Sequence, residues 1–383
     1  MSSLDEWAAE RLDKLSARGL RRELRVLPGV GGKIELNGRM VLNFSSNDYL
    51  DLARNPLLKQ RAKEAIDEYG TGATASRLMA GTITLHDELE RRLAEYKGAE
   101  ASVVFGSGYL ANLGAIRTLV GRGDAVFSDR LNHASIVDGI LLSGAKMHRY
   151  RHCDCSHLES LLSECDSQRR LVITESVFSM DGDIAPIADI IEICERHDAI
   201  LMVDDAHGTG VLLRDEIQSR SIPIAMGTLS KALAGAGGFV AGSRLLCDLL
   251  INKARSFIYT TGLPPASAAS ALAALDLIQE NPEMGRELLR RSELFRSKLQ
   301  SIGFDTLNSH SQITPILVGD NKKALAWSRA LLDSGIIATA IRPPTVPQGT
   351  ARLRLSVTLA HQEDDLARAA EILRSTATKA GIL

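Results

Sequence analysis

The chain reads as an α/β protein: a large domain on a mainly parallel sheet, followed by a smaller α+β unit. Three observations predict this. Seven short apolar runs between Ser102 and Ala241 alternate with helical patterns, as strands buried on both faces between covering helices do. Glycine is abundant, with 31 residues, and many stand in tight clusters rather than in linkers. Beyond a helix-rich stretch over residues 265–300, short strand and helix patterns alternate again to the C-terminus.

Taken in order, residues 3–24 predict a helix, with Leu4, Trp7, Leu12, Leu15 and Leu20 recurring among charges. Asn37-Gly38 predicts a hairpin over residues 33–43. Helices are expected over 56–69, opened by Pro56 and closed by Gly70, and over 85–97, closed by Gly98. The strand runs are 102–105, 125–128, 146–150, 171–174, 200–203, 222–226 and 239–241. Helical patterns at 110–120, 136–142, 158–165 and 187–197 separate them. Strands at 316–318, 337–341 and 352–356, with helices at 323–334 and 363–374, make the last unit. The expected division is 1–44 (N-terminal helix and hairpin), 45–280 (large domain) and 281–383 (small domain), with the N-terminal helix packed near the small domain. No internal repeat is present.

Composition excludes several classes. Forty-five Lys and Arg balance 47 Asp and Glu, without a basic block, which argues against nucleic acid as a partner. No apolar run reaches about 18 residues, so no membrane partner is expected. The charged, amphipathic start lacks a secretory signal pattern. Five cysteines form an odd, sparse set that fits a reducing compartment, and a cytoplasmic location is expected.

Three clusters stand at the ends of expected strands, where open α/β sheets place their ligands. Phe105-Gly-Ser-Gly-Tyr-Leu-Ala-Asn112 runs from a strand through a glycine turn into a helix. Backbone N–H groups at such a helix start can cradle a phosphate, although a glycine turn also occurs without a ligand. Val203-Asp-Asp-Ala-His-Gly-Thr-Gly210 places Asp204 at a strand end beside His207. A metal there would recruit His133, Asp181 or Asp183, but no metal-ligand spacing supports it; the bland alternative is a solvated turn with a capping Asp. The third cluster sets Lys231 among small and apolar residues, with Gly235, Gly237 and Gly238 letting backbone close in. Poor solvation lowers an ammonium pKa toward nucleophilic use. Combined, the clusters offer a phosphate seat with the hydroxyls of Thr228 and Ser230, a buried carboxylate for a protonated ring nitrogen, and a Schiff-base lysine. Those are the protein parts that pyridoxal 5′-phosphate requires.

The chain resembles the α-oxoamine synthases, fold-type I pyridoxal-phosphate transferases that join an amino acid to an acyl thioester and lose carbon dioxide. The motifs that carry the resemblance span nearly the whole chain: Asn43-Phe-Ser-Ser-Asn-Asp-Tyr-Leu50, residues 72–77, Ser107-Gly-Tyr-Leu-Ala-Asn112, Asp129-Arg-Leu-Asn-His-Ala-Ser135, Glu175-Ser-Val-Phe-Ser-Met-Asp-Gly182, Asp204-Asp-Ala-His-Gly-Thr-Gly210, Thr228-Leu-Ser-Lys231 and Arg342-Pro-Pro-Thr-Val-Pro347. The last of these, with Gly349-Thr-Ala-Arg-Leu-Arg354, looks most like the members that condense L-alanine with a pimeloyl thioester of coenzyme A or acyl carrier protein. Glycine-using members are the alternative, and a metal-dependent hydrolase built on Asp204 and His207 is a distant one.

The resemblance implies a large domain with a seven-stranded sheet, and a role for each matching residue. Lys231 holds the cofactor and works as base and acid at the amino acid α-carbon. Asp204 pairs with the ring nitrogen, His207 and Ser179 contact the phenolic edge, and His133 stacks on the opposite ring face. Gly108, Tyr109 and Thr228 grip phosphate and ring. Arg354 binds the amino acid carboxylate, a task for a planar guanidinium. Asn47, Ser76, Thr345 and Arg21 surround the substrates, with Arg21 toward the distal acyl carboxylate, although it also reads as a solvated arginine at a helix end. A homodimer with its active site at the subunit interface is implied. One departure is visible: Gly72-Ala-Thr-Ala-Ser-Arg77 replaces a more glycine-rich family pattern, so a positive φ at Thr74 would be strained. His152, Cys153, Cys155 and His157 read as a surface turn and not as a metal site.

Overall fold

A computed structural model of the chain describes residues 2–212 and 222–383. Its strands are β1 (Lys33–Leu36), β2 (Arg39–Asn43), β3 (Ala101–Phe105), β4 (Ala125–Asp129), β5 (Lys146–Tyr150), β6 (Arg170–Glu175), β7 (Ile200–Asp204), β8 (Ile224–Thr228), β9 (Gly238–Gly242), β10 (Ile313–Gly319), β11 (Ile336–Ile337), β12 (Thr339–Ile341) and β13 (Ala351–Ser356). The chain divides into two compact units. One comprises Leu50–Ser179 and Asp183–Arg286; the other comprises Met1–Tyr49, Met180–Gly182 and Glu287–Leu383. The N-terminal residues thus group with the C-terminal ones, and the boundaries fall beside Tyr49 and Arg286 rather than at residues 44 and 280.

The larger unit carries the expected seven-stranded sheet, in the order β3-β9-β8-β7-β6-β4-β5. The five strands β4 to β8 pair in parallel, and β9 runs antiparallel to both β8 and β3. The reversal has a local cause. Only residues 229–237 separate β8 from β9, too few for the dozen or so residues that a parallel crossover needs. Lys231 sits in that short return, at the same sheet end as the C-termini of β4, β6 and β7.

Alternation along the strands fills a core on each face. Val126, Leu171, Ile173 and Met202 join one buried cluster with Ile116, Ile136 and Leu250. Phe127, Val172, Leu201 and Val203 join the other with Leu158, Ile190 and Cys194. Only β5, with exposed Lys146 and Arg149, is mostly solvated, as an edge strand should be. Pro56–Tyr69 and Thr84–Lys97 form the expected helices, ended by Gly70 and by Gly98 in the left-handed conformation. Two helices, Arg244–Lys253 and Arg255–Ile258, occupy a stretch where the sequence reading assigns no element. Their signal is the Ser243 cap, whose hydroxyl accepts Leu246 N–H at 3.2 Å.

In the smaller unit the first helix is Ser3–Ala17 and not 3–24, because Gly19 takes φ +63° and ends it. Leu4 and Trp7 on it are exposed, whereas Leu20 beyond its end is buried. The hairpin β1–β2 forms as expected, with Asn37 at φ 53° and Gly38 at φ 73° supplying the positive angles of its turn. β11 extends this sheet in parallel, while β12 joins β10 and β13 in a second one, so the single strand expected at 337–341 is two pieces in two sheets. Trp327 is fully buried and donates its indole N–H to Thr376 at 2.9 Å.

His361 ties the hairpin entry to this unit. Its ring stacks on Phe44 at 4.4 Å, Nδ1 accepts Thr358 N–H at 3.1 Å, and Nε2 faces Gly32 O at 2.9 Å. Gly32 has no room for a side chain: a Cβ there would lie 2.9 Å from Ala360 Cβ. Burial pushes the His361 imidazolium down to about 4 from its ordinary 6.5, against the opposing pull of Gly32 O. An unfolded chain therefore binds a proton between those values that the folded chain refuses. The stability is complete above pH 6.5 and is lost progressively as pH falls toward about 4. Melting curves across that window should show the loss, and His361→Gln should flatten it. Parallel curves for the two proteins would refute the assignment.

Candidate active site

Ser107, Gly108, Tyr109, Asn112, His133, Ser135, Glu175, Asp204, Ala206, His207, Met226, Thr228, Ser230 and Lys231 enclose a cavity of about 210 Å³ at this sheet end. Eight residues assigned to the site from sequence lie here, brought from four segments far apart in the chain.

The wall over β8 and β9 depends on bare backbone. A Cβ on Gly238 would stand 2.5 Å from Gly108 N, and one on Gly108 would stand 3.0 Å from Met226 Cε. Glycine at both positions lets the start of helix Gly108–Leu119 press against β9. Ser107 caps that helix by accepting Leu110 N–H at 3.2 Å. The first N–H groups of a helix have no intrahelical acceptor, so Gly108 and Tyr109 present donors with the positive helix end. Thr228 Oγ1 donates to Gly237 O at 2.9 Å and lies 2.8 Å from Ser230 Oγ. Donors and hydroxyls at one end of the cavity suit an anion.

Asp204, the buried last residue of β7, also lines the cavity. Its Oδ1 accepts Ala206 N–H at 2.9 Å, and its Oδ2 accepts Asn112 Nδ2 at 2.8 Å. The same Asn112 amide reaches Ser135 Oγ at 2.9 Å, and that hydroxyl lies 2.8 Å from His133 Nδ1. Asp204 is thus fixed within a network that also orients His133. Burial and the Lys231 ammonium lower the His133 pKa, while the Asp204 carboxylate opposes them. His207 is buried, Lys231 half-buried, and both line the cavity. Tyr109 is more exposed, and its hydroxyl donates to the Asp138 carboxylate.

The neighbouring carboxylates of the Asp204-Asp205 pair part company. Asp205 turns into an ion pair with Lys97 and accepts the Ser176 and Thr209 hydroxyls at 2.5 and 3.0 Å. Gly208 permits this, because a Cβ there would overlap the Asp205 carboxylate. Asp205 is therefore structural.

Sequence reasoning assigns no role to Asn112, Ser135 or Glu175. Signals existed for two of them: Asn112 follows Gly108 by one helical turn, and Glu175 ends an apolar run as Asp204 does. Glu175 pairs in register with Asp204 across β6 and β7, and its Oε1 accepts His133 N–H at 2.6 Å. Burial, then the nearby Asp204 carboxylate, hold the Glu175 carboxyl well above its ordinary 4.5; the His133 N–H and Lys231 oppose them.

Other assigned residues lie outside this cavity wall. Ser179 is half-buried beyond β6. Ser76 bridges to Thr261, in a loop anchored by the Arg77–Glu90 pair at 3.0 and 2.9 Å. Thr74 there does take a positive φ, 58°. The close approach comes instead from Gly81 and Gly262: a Cβ on Gly81 would overlap Ala75 O, and one on Gly262 would lie 2.5 Å from Gly81 O. In the smaller unit, buried Arg354 donates to Asn47 Oδ1 at 3.2 Å, Ser356 Oγ at 2.8 Å and Tyr49 Oη at 3.4 Å. Thr345 Oγ1 accepts from Arg22 at 3.3 Å, and exposed Arg21 stands 3.7 Å from Glu23.

The raised Glu175 carboxyl has a measurable consequence. Above its ordinary 4.5 the unfolded chain releases this proton while the folded chain keeps it, so stability falls as pH rises. Glu175→Gln removes that cost. The melting-temperature difference, variant minus parent, should grow from about pH 5 to about pH 8 in the purified full chain. A constant difference would show that Glu175 titrates normally.

The aminotransferase class I and II family model matches residues 39–373 of the chain. Among curated proteins, an 8-amino-7-oxononanoate synthase of Geobacter sulfurreducens is 50% identical, over 98% of this chain and 99% of its own. Among solved structures, the serine palmitoyltransferase of S. paucimobilis with a bound PLP–myriocin aldimine aligns at TM-score 0.93 and 28% identity, covering 100% of each chain. The 8-amino-7-oxononanoate synthase of Francisella tularensis aligns at TM-score 0.76 and 28% identity over 88% of this chain and 98% of its own. With these matches spanning the sheet, the cavity and both units, the chain belongs to the class I and II aminotransferase family and, within it, to the α-oxoamine synthases of fold type I.

Proposed function

We propose that the chain is a pyridoxal-phosphate acyltransferase that condenses L-alanine with a pimeloyl thioester. The products are 8-amino-7-oxononanoate, carbon dioxide and the free thiol, the acyl carrier being coenzyme A or acyl carrier protein. The observation that carries this reading is the single cavity into which Lys231, Asp204 and the start of helix Gly108–Leu119 all open. Its donor set fits the cofactor: a glycine cradle of N–H groups for phosphate, a buried carboxylate for the ring nitrogen, and a primary amine for the aldehyde. The 50% identity to an 8-amino-7-oxononanoate synthase over 98% of the chain supports the choice of substrates.

Pyridoxal phosphate, when bound, supplies an electron sink for the carbanion at the amino acid α-carbon. Every proton movement falls to the protein. Lys231 Nζ would be the attachment point for the cofactor aldehyde, and the same amine would move the proton at the amino acid α-carbon. Asp204 keeps the ring nitrogen protonated, and Asn112 and the Ala206 N–H hold its carboxylate in place. Gly108, Tyr109, Thr228 and Ser230 bind phosphate. His207 and Ser179 hydrogen-bond the phenolic edge. His133 would stack on the cofactor ring, its own orientation set by Ser135. From the family motifs we assign Arg354 to the alanine carboxylate, Asn47 and Ser76 to the amino acid, and Thr345 and Arg21 to the acyl chain. We place the active site at the interface of a homodimer in the cytoplasm. The free state of all five cysteines is consistent with that compartment, and among the described residues no helix is long and apolar enough to cross a membrane.

Lys231→Ala should abolish carbon dioxide release from alanine and pimeloyl thioester while the protein still binds the cofactor noncovalently. Near-normal turnover would refute the cofactor assignment. Arg354→Lys keeps the charge but loses the planar fork, and should raise the alanine KM roughly tenfold or more with cofactor absorbance unchanged. Arg21→Ala should weaken only the thioester. Equal loss of alanine binding in both variants would overturn this division.

A further inference from the structure

Among the described residues, Asp129, His152 and Cys153 form a close group of titratable side chains outside the cavity wall, with Asp183 against His152. Its Nδ1 lies 3.0 Å from Asp129 Oδ1, and its Nε2 contacts the Asp183 carboxylate. Asp129 and Asp183 are both buried, and the His152 side chain is 19% exposed. Burial alone would lower the imidazolium pKa, but the two carboxylates push it up to about 12. Cys153 Sγ stands 3.8 and 3.7 Å from the two ring nitrogens. Burial raises that thiol, so it stays protonated. Both ring nitrogens face carboxylates, so the ring bridges Asp129 and Asp183.

What this cation holds is the more telling point. Asp129 ends β4, and the four following residues lead to His133. Its Oδ1 also accepts Leu131 N–H at 2.8 Å, and its Oδ2 accepts Cys153 N–H at 2.9 Å. The loop is pinned further by Arg130 N–H on Tyr150 O at 3.2 Å and by Asn132 Nδ2 on Ile173 O at 2.8 Å. Asp183 takes Phe178 N–H on its backbone oxygen at 3.0 Å, and its buried Oδ1 has no hydrogen-bond partner among the described residues. Phe178 meets the His152 ring edge-on at 4.4 Å. Removing the cation would leave two buried carboxylates facing one another uncompensated, which drives structure apart.

We propose that His152 is a positioning residue, a cationic clamp that bridges Asp129 and Asp183 and thereby fixes the 129–133 loop that carries His133 to the cavity. It touches no reacting group and acts through His133, so its effect on turnover rests on the role proposed above for that residue. A misplacement of about 1 Å can cost of order a hundredfold in rate.

His152→Gln, which removes the charge, is tested by amide hydrogen exchange on the full chain with and without cofactor. Exchange in residues 129–135 should quicken at least about tenfold while β6 and β7 stay protected. With cofactor and substrates, kcat should fall about tenfold or more at a nearly unchanged alanine KM. In a His133→Asn background the same substitution should cost less than about twofold, because the loop then carries nothing to misplace. Should His152→Gln not fold, Asp183→Asn takes its place in every measurement. Unchanged exchange at 129–135, exchange quickened uniformly along the chain, additive kinetic losses, or a stoichiometric metal lost on substitution would each overturn the proposal. If His133→Asn alone is fully active, the reading of the active site fails, and the exchange data still decide the clamp.

Discussion

Two buried carboxylates, Glu175 and Asp204, stand in register at the ends of adjacent parallel strands, and the rest of the site is arranged around that fact. Like charges at such a separation in a poorly hydrated environment cannot both ionise cheaply. The surroundings resolve the conflict unequally. Asp204 receives an amide N–H and the Asn112 side chain on its two oxygens. Glu175 receives one N–H, from His133, and its proton is favoured. Asn112 thus holds Asp204 at the cavity wall, while Glu175 serves as a brace for the histidine loop.

The same economy of charge recurs nearby. Asp205 is neutralised by Lys97 on the far side of the Asp204 turn, so adjacent aspartates in sequence serve separate purposes. Asp129 and Asp183 share one imidazolium. Each buried charge at this sheet end has a partner that also fixes a loop, so electrostatic compensation and loop geometry are the same contacts. Paired in this way, buried ions add little net stability but make departures from one arrangement expensive.

Backbone proximity supplies the other constraint. Gly108 and Gly238 touch where any side chain would hold them apart, and that contact sets the helix start against the antiparallel return of β9. The return is antiparallel because nine residues cannot make a crossover, and this delivers Lys231 to the sheet end where the carboxylates stand. In the 72–77 loop, Thr74 bears a left-handed backbone, and the room that a glycine-rich sequence would offer is supplied from Gly81 and Gly262.

Periodicity and turn chemistry sufficed to give the α/β class, the seven strands and most helices, because strands buried on both faces and glycine-capped helices leave local signatures. Charged residues closing apolar runs, the glycine turns and the isolated lysine pointed to Asp204, His207, Gly108, Thr228 and Lys231, since unsolvated polar groups at strand ends are conspicuous in a sequence; the family motifs added His133, Ser179 and the substrate residues. What only the tertiary structure decided is pairing. Nothing local says that Asp205 turns to Lys97, that Asn112 links Asp204 to Ser135, that Glu175 braces His133, or that His152 lies between two aspartates contributed by other strands and loops. Those partners are separated by 23 to 108 residues. The physical reason is that a buried polar group is satisfied by whatever the fold brings within hydrogen-bond reach, and sheet order, not sequence order, determines what that is.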